Sequence, residues 1–143
     1  MSESGNPLND LIIGIDLGTT NSEVAAFVDS KVTILSSGTK NMVPSVVGLS
    51  SAGDLLVGEA ARNQLMLYPE RSVRSIKRKM GSNETVSLGD CQFTPQEISA
   101  LILRELASWA SRQPGIWRRR SSYSHGLRSW RWHIRCVHLC ARG

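Results

Sequence analysis

The spacing of apolar and polar positions changes period along the chain. From residue 11 to 17, the run Leu11-Ile12-Ile13 is followed by Ile15 and Leu17, with Asp16 between them. Short, rich in β-branched residues and closed by Gly18, this stretch predicts a buried strand. Gly18-Thr19-Thr20-Asn21 predicts a turn and residues 23–28 a second strand. Asp29-Ser30-Lys31 then predicts a tight turn into a third strand over 32–35. Three strands joined by short turns make an antiparallel meander. Residues 36–41 read as a polar loop, and 43–49 as a strand that Pro44 confines to an edge or a strand start. A turn over 50–54 and a short strand over 55–57 follow.

The period then lengthens. Gly58 opens a helical stretch over 59–67, stopped at Pro69. Basic residues crowd 71–79 before Gly81, and a polar loop containing Cys91 comes next. Thr94-Pro95-Gln96-Glu97 supplies an N-cap threonine, a proline at the first helical position and a glutamate capping-box partner. Ile98, Leu101, Ile102, Leu106 and Trp109 then share one face at three-to-four spacing, which predicts a helix over 95–112. No internal repeat is visible.

At 143 residues, 41% hydrophobic and 20% charged, the chain has the size and composition of about one domain with a packed core. No apolar run reaches the ~18 residues of a membrane helix. Residues 1–10 are expected to be disordered. They lack the basic start and apolar stretch of a signal peptide, so a cytoplasmic protein is expected. Three cysteines do not make a disulfide framework, in keeping with a reducing compartment.

The net charge of +5 hides a split near Pro114-Gly115. Residues 1–115 carry ten Lys and Arg against all twelve acids, whereas residues 116–143 carry seven Arg, no Lys and no acid. Basicity that would suggest a nucleic-acid partner therefore belongs to the tail alone.

The sharpest chemical signal is Ile15-Asp16-Leu17-Gly18-Thr19-Thr20-Asn21-Ser22. A hairpin turn here presents a carboxylate, a glycine, two hydroxyls and an amide. Gly18 permits close approach of backbone N–H groups to an oxyanion, and Thr19 and Thr20 add hydroxyl donors. Asp16, at a strand end, suits a hydrated Mg²⁺ bridging phosphate oxygens. The alternative is an ordinary hairpin in which glycine and threonine serve the turn and Asp16 is solvated. A Walker-type phosphate loop, GxxxxGK[ST], is absent.

IIGIDLGTTNS resembles the first phosphate-binding motif of the heat shock protein 70 (DnaK-type) chaperones, within the wider actin and sugar-kinase ATPase fold. Val43-Pro44-Ser45-Val46-Val47, Leu56-Val57-Gly58-Glu59-Ala60-Ala61, Ser75-Ile76-Lys77-Arg78-Lys79-Met80-Gly81 and Pro95-Gln96-Glu97-Ile98-Ser99-Ala100 agree with that family in order and spacing. The short segment between Gly81 and Pro95 is similar to HscC-type bacterial members. The KRxxG segment and the TTNS ending favour the chaperone branch over a sugar kinase.

The resemblance implies an α/β chain with the actin-like ATPase (ribonuclease H-like) fold. Residues 11–113 would form part of the first lobe of a nucleotide-binding domain, with a mixed sheet nucleated by the 12–35 meander and flanking helices. It assigns Gly18, Thr19, Thr20 and Asn21 to the phosphates of ATP or ADP, Asp16 to Mg²⁺, and Lys77 to catalysis. Residue chemistry alone leaves Lys77 as one of five cations between Arg71 and Lys79, a solvated basic face. In the family a second lobe completes the site. The fragment alone is therefore expected to be inactive, while an intact relative would fold proteins by ATP-driven cycles with unfolded polypeptides and co-chaperones.

Where the family continues with a strand resembling AVITVPAYF, this chain reads GIWRRRSSYSHGLRSWRWHIRCVHLCARG. Residues 114–143 read as an aberrant, frameshifted ending. Codons for Arg120 to Arg128, taken one base out, permit Ala-Val-Val-Thr-Val, one mismatch, then Ala-Tyr. An alternative function is a basic nucleic-acid-binding module, with Arg118-Arg119-Arg120 supplying charge and Trp117, Trp130 and Trp132 stacking on bases. His133, Cys136, His138 and Cys140 lie too close together for the usual zinc spacing.

Overall fold

A computed structural model of the chain describes residues 12–28 and 30–113. The expected disordered start at 1–10 and the basic tail at 114–143 lie outside the described residues.

The meander forms as its pattern demands. Strand β1 (Ile12–Asp16) runs antiparallel to β2 (Asn21–Val28), with Ile12 opposite Phe27 and Asp16 opposite Glu23. Strand β3 (Lys31–Ile34) pairs with the far half of β2. Burial alternates along β1, where Ile13 and Ile15 turn inward while Ile12, Gly14 and Asp16 are exposed. The first strand is thus covered on one face, not buried on both as its apolar run suggested. On the open face Ile12, Phe27 and Val32 form a cross-strand row, with Ile34 beside it.

Residues 43–49 are not one strand. β4 (Val43–Pro44) pairs with the start of β2, placing Asn21 opposite Pro44 and Ser22 opposite Val43. The chain breaks at Ser45, and β5 (Val46–Leu49) enters a second sheet. There it lies between β6 (Leu55–Val57) and β7 (Ser72–Arg74), in the order β6-β5-β7. Pro44 has no N–H to donate, which limits the first pairing to two residues.

Helix α1 (Glu59–Leu65) ends two residues earlier than its pattern suggested. The N–H groups of Leu67 and Tyr68 both reach the Gln64 carbonyl, tightening the last turn ahead of Pro69. The Gln64 amide nitrogen lies 2.9 Å from the Leu49 carbonyl and 3.2 Å from both the Arg71 carbonyl and Ser72 Oγ, tying α1 to the second sheet. Two 3-10 turns, Pro69–Arg71 and Ile76–Lys79, flank β7.

The polar loop expected around Cys91 is instead a hairpin of β8 (Val86–Leu88) and β9 (Cys91–Phe93). Gly89 has φ 61 in the first central position, which favours glycine in a two-residue turn. Val86 and Leu88 are buried on either side of exposed Ser87. Every pairing among the described residues is antiparallel, across three separate sheets, so the expected mixed sheet does not form within them. A parallel partner requires a crossover connection, and whatever follows α2 (Pro95–Arg112) falls outside the described residues.

Helix α2 matches its predicted bounds. Ile98, Ile102, Leu106 and Trp109 are buried with Val24, Ala26, Val47, Ile76 and Leu88 in one core, so α2 joins both sheets and the β8–β9 hairpin. It is not apolar enough to cross a membrane, nor is any other helix among the described residues.

Its start carries the full capping box. Glu97 Oε2 accepts from the Thr94 N–H at 2.7 Å and the Thr94 hydroxyl at 3.0 Å, and the Glu97 N–H donates to Thr94 Oγ1. The backbone bond from Thr94, then the hydroxyl bond, hold the Glu97 carboxyl below its ordinary 4.5. A depressed carboxyl stabilises the fold above its unfolded value, and that contribution disappears as pH falls through the folded value. Glu97→Gln is therefore expected to lower the melting temperature at neutral pH and to flatten its decline between about pH 5 and 3. Melting curves across that range check this, and parallel acid limbs in both proteins would contradict it.

Candidate functional site

Residues 17–20 link β1 to β2 in a turn closed by hydroxyl groups from two places in the chain. The Gly18 N–H donates to Ser22 Oγ at 3.2 Å, and the Ser45 hydroxyl donates to the Gly18 carbonyl at 2.8 Å. Ser22 Oγ and Ser45 Oγ are 2.8 Å apart. Each hydroxyl carries one hydrogen, and that of Ser45 is already committed, so Ser22 is the donor between them. The result is a closed ring: Gly18 N–H to Ser22, Ser22 to Ser45, Ser45 to Gly18 C=O. Both serines are essentially fully buried, and the ring leaves neither unsatisfied. A second clamp runs from the Ser45 N–H to the Thr20 carbonyl at 2.8 Å.

Gly18 is required here for space. A Cβ added to it would overlap the Asn21 carbonyl oxygen, which the tight turn folds back onto it. Its N–H is held by Ser22, so Gly18 does not itself offer a free oxyanion donor. The neighbouring residues do. Among the described residues, the N–H groups and hydroxyls of Thr19 and Thr20 have no hydrogen-bond partner. Thr19 is partly buried and Thr20 exposed, so four donors stand at one end of the sheet.

Asp16 ends β1 directly opposite Glu23 on β2, which puts two carboxylates side by side on one face. Like charges so placed repel one another, and among the described residues neither is in an ion pair. These two carboxylates are oxygen donors of the kind a divalent cation takes, and among the described residues no group of three or more His, Cys, Asp or Glu gathers to hold a metal ion. Asn21 opens β2 and is exposed.

Lys77 belongs to a different element, the exposed 3-10 turn Ile76–Lys79. Buried Ile76 anchors it in the α2 core, and Ser75 before it adopts the left-handed conformation at φ 54, ψ 35. That geometry costs a non-glycine residue about 1 kcal/mol and fixes how the chain enters the turn. No hydrogen bond or ion pair among the described residues joins Lys77 to residues 16–21. The structure thus gathers Asp16, Gly18, Thr19, Thr20 and Asn21 in one turn, with Lys77 on a separate support. The cluster Lys40–Glu59–Arg62 lies elsewhere, at the start of α1. There, partial withdrawal from water pushes the Glu59 carboxyl up, and its hydrogen bond and charge contacts with Arg62 and Lys40 outweigh this and hold it low.

Sequence reasoning missed Glu23, Ser22 and Ser45. Ser22 and Ser45 stood inside recognised motifs, but no local pattern reveals a hydroxyl bond across 23 positions.

Comparison with known proteins supplies an independent finding. The family model described as Hsp70 protein matches residues 12–87. "Chaperone protein DnaK" of Thermotoga petrophila is 48% identical over 99 residues, covering 68% of this chain and 17% of that protein. The proteins of the same name from Thermotoga neapolitana and Thermosipho africanus are 46% and 48% identical over the same coverage. The chain therefore spans about a sixth of the length of these curated relatives.

Proposed function

The chain belongs to the Hsp70 family, and from that premise we propose that residues 11–113 form part of the first lobe of an actin-like nucleotide-binding domain whose 17–20 turn holds the phosphates of ATP. The observation that carries this reading is the free donor set of Thr19 and Thr20, in a turn where the Gly18 N–H and C=O and the Thr20 C=O are engaged internally. Two N–H groups and two hydroxyls, preorganised on a rigid hairpin, suit the oxygens of a polyphosphate and need little reorganisation to bind them. Asn21 flanks the same oxygens.

Asp16, with Glu23 across the sheet, supplies oxygen ligands for Mg²⁺ or its waters. When bound, the ion neutralises charge on the phosphates. Lys77 offers a cation for the charge that develops on the terminal phosphoryl group. Its separate support means that catalysis depends on bringing the two elements to one phosphate. In longer relatives the same site would drive chaperone cycles with unfolded polypeptides and co-chaperones, in the cytoplasm.

These 143 residues by themselves provide one side of a nucleotide cleft, so weak binding without turnover is expected. Titration calorimetry with MgATP should give millimolar affinity, and a phosphate-release assay should stay at background. Micromolar affinity together with turnover would contradict the one-sided reading.

A further inference from the structure

The serine ring does more than fill hydrogen-bond valences. It occupies both backbone groups of Gly18, and beside it the Ser45 N–H holds the Thr20 carbonyl, while the donors of Thr19 and Thr20 stay unengaged. Ser45 also sits at the break where the chain passes from β4 in the first sheet to β5 in the second. From there the register is continuous. Val46 pairs with Arg74 of β7, and Arg74 leads through left-handed Ser75 to Lys77. Ser45 therefore joins the phosphate turn to the strand that leads to the element bearing Lys77, through its hydroxyl to Gly18 and its N–H to Thr20.

We propose that Ser22 and Ser45 are positioning residues for the nucleotide, holding the Gly18 peptide so that Thr19 and Thr20 present their donors and fixing that turn relative to the Lys77 segment. This rests on the nucleotide reading above. Neither serine touches the phosphates; both act through Gly18. Loss of the Ser45 hydroxyl frees the Gly18 carbonyl and leaves the Ser22 O–H without an acceptor, whereas loss of the Ser22 hydroxyl frees the Gly18 N–H and leaves Ser45 Oγ without its donor.

The test uses ¹⁵N-labelled full chain and MgATP, followed through the Thr19 and Thr20 amide signals. Ser45→Ala is expected to free the Gly18 carbonyl, shift the neighbouring amide signals and weaken apparent MgATP affinity by roughly tenfold. Ser22→Ala breaks the same ring from its other hydroxyl and should give the same loss, so the result does not depend on one variant folding. Ser45→Thr, which keeps the hydroxyl, should recover most of the affinity. Gln64→Ala lowers stability through the second sheet and should leave affinity unchanged.

Unchanged affinity in both serine variants, or an equal loss in Gln64→Ala, would overturn the proposal and reduce the ring to a structural feature. Absence of any MgATP shift at Thr19 and Thr20 in the unaltered chain would overturn the nucleotide reading, and the positioning role with it.

Discussion

Gly18→Ala is expected to destroy the turn between β1 and β2 in its present form. The new Cβ would overlap a backbone oxygen, that of Asn21, which cannot swing aside as a flexible side chain would. Moving the peptide to make room opens the serine ring, because the Gly18 N–H and C=O are two of its four members. Overpacking typically costs 1–3 kcal/mol and an unsatisfied buried hydroxyl a similar amount, so a loss of about 3 kcal/mol is expected. A domain of this size has only about 5–15 kcal/mol of total stability. Urea unfolding measures this directly, and a variant within about 0.5 kcal/mol of the unaltered chain would contradict it. MgATP shifts at Thr19 and Thr20 should vanish together with the turn.

The second large effect belongs to α2. Ile102 and Leu106 are completely buried, in the one layer shared by both sheets and the β8–β9 hairpin. Truncating either to alanine leaves a cavity that strands on two sides cannot both close, at a cost of about 2–5 kcal/mol. For a domain of this size that corresponds to a melting temperature lower by roughly ten degrees or more. Arg104→Ala, exposed on the opposite face of the helix, is expected to change stability by less than about 0.5 kcal/mol. Thermal unfolding of the three variants decides. Equal, small losses would mean that α2 is not the element holding the sheets together.

Helix α2 and the meander were legible in the sequence because their signals are local and redundant. The Thr94 cap, Pro95 and the apolar face of α2 all agree. The β8–β9 hairpin also had a signal, Gly89-Asp90 flanked by Val86, Leu88 and Phe93, but the polar residues among them hid the two-residue period. The break at Ser45 was not legible. Residues 43–49 are uniformly apolar enough for one strand, and only the pairing of Val43 with Ser22 diverts the first two residues to another sheet. Burial of the first strand was overread for a related reason: an apolar run cannot say how many of its faces will be covered.

The same limit applies to the site. The motif at 15–22 located the turn, but not the Ser22 hydroxyl that accepts from the Gly18 N–H. Ser45 and Glu23 matter through partners on other strands, and nothing in their immediate neighbourhood indicates this. Lys77 is distinguished from Arg74, Arg78 and Lys79 only by family resemblance, since all four are exposed cations of one segment.

Replacing Mg²⁺ with paramagnetic Mn²⁺ in the nucleotide complex tests most directly whether the 17–20 turn grips a metal–triphosphate. Mn²⁺ broadens the amide signals nearest to it. With MnATP added to the labelled chain, the signals of Asp16, Thr19, Thr20 and Glu23 are expected to disappear first, and Asp16→Asn should weaken the effect. Broadening centred on residues 74–79, or spread evenly over the surface, would contradict the assignment of this turn as the phosphate site.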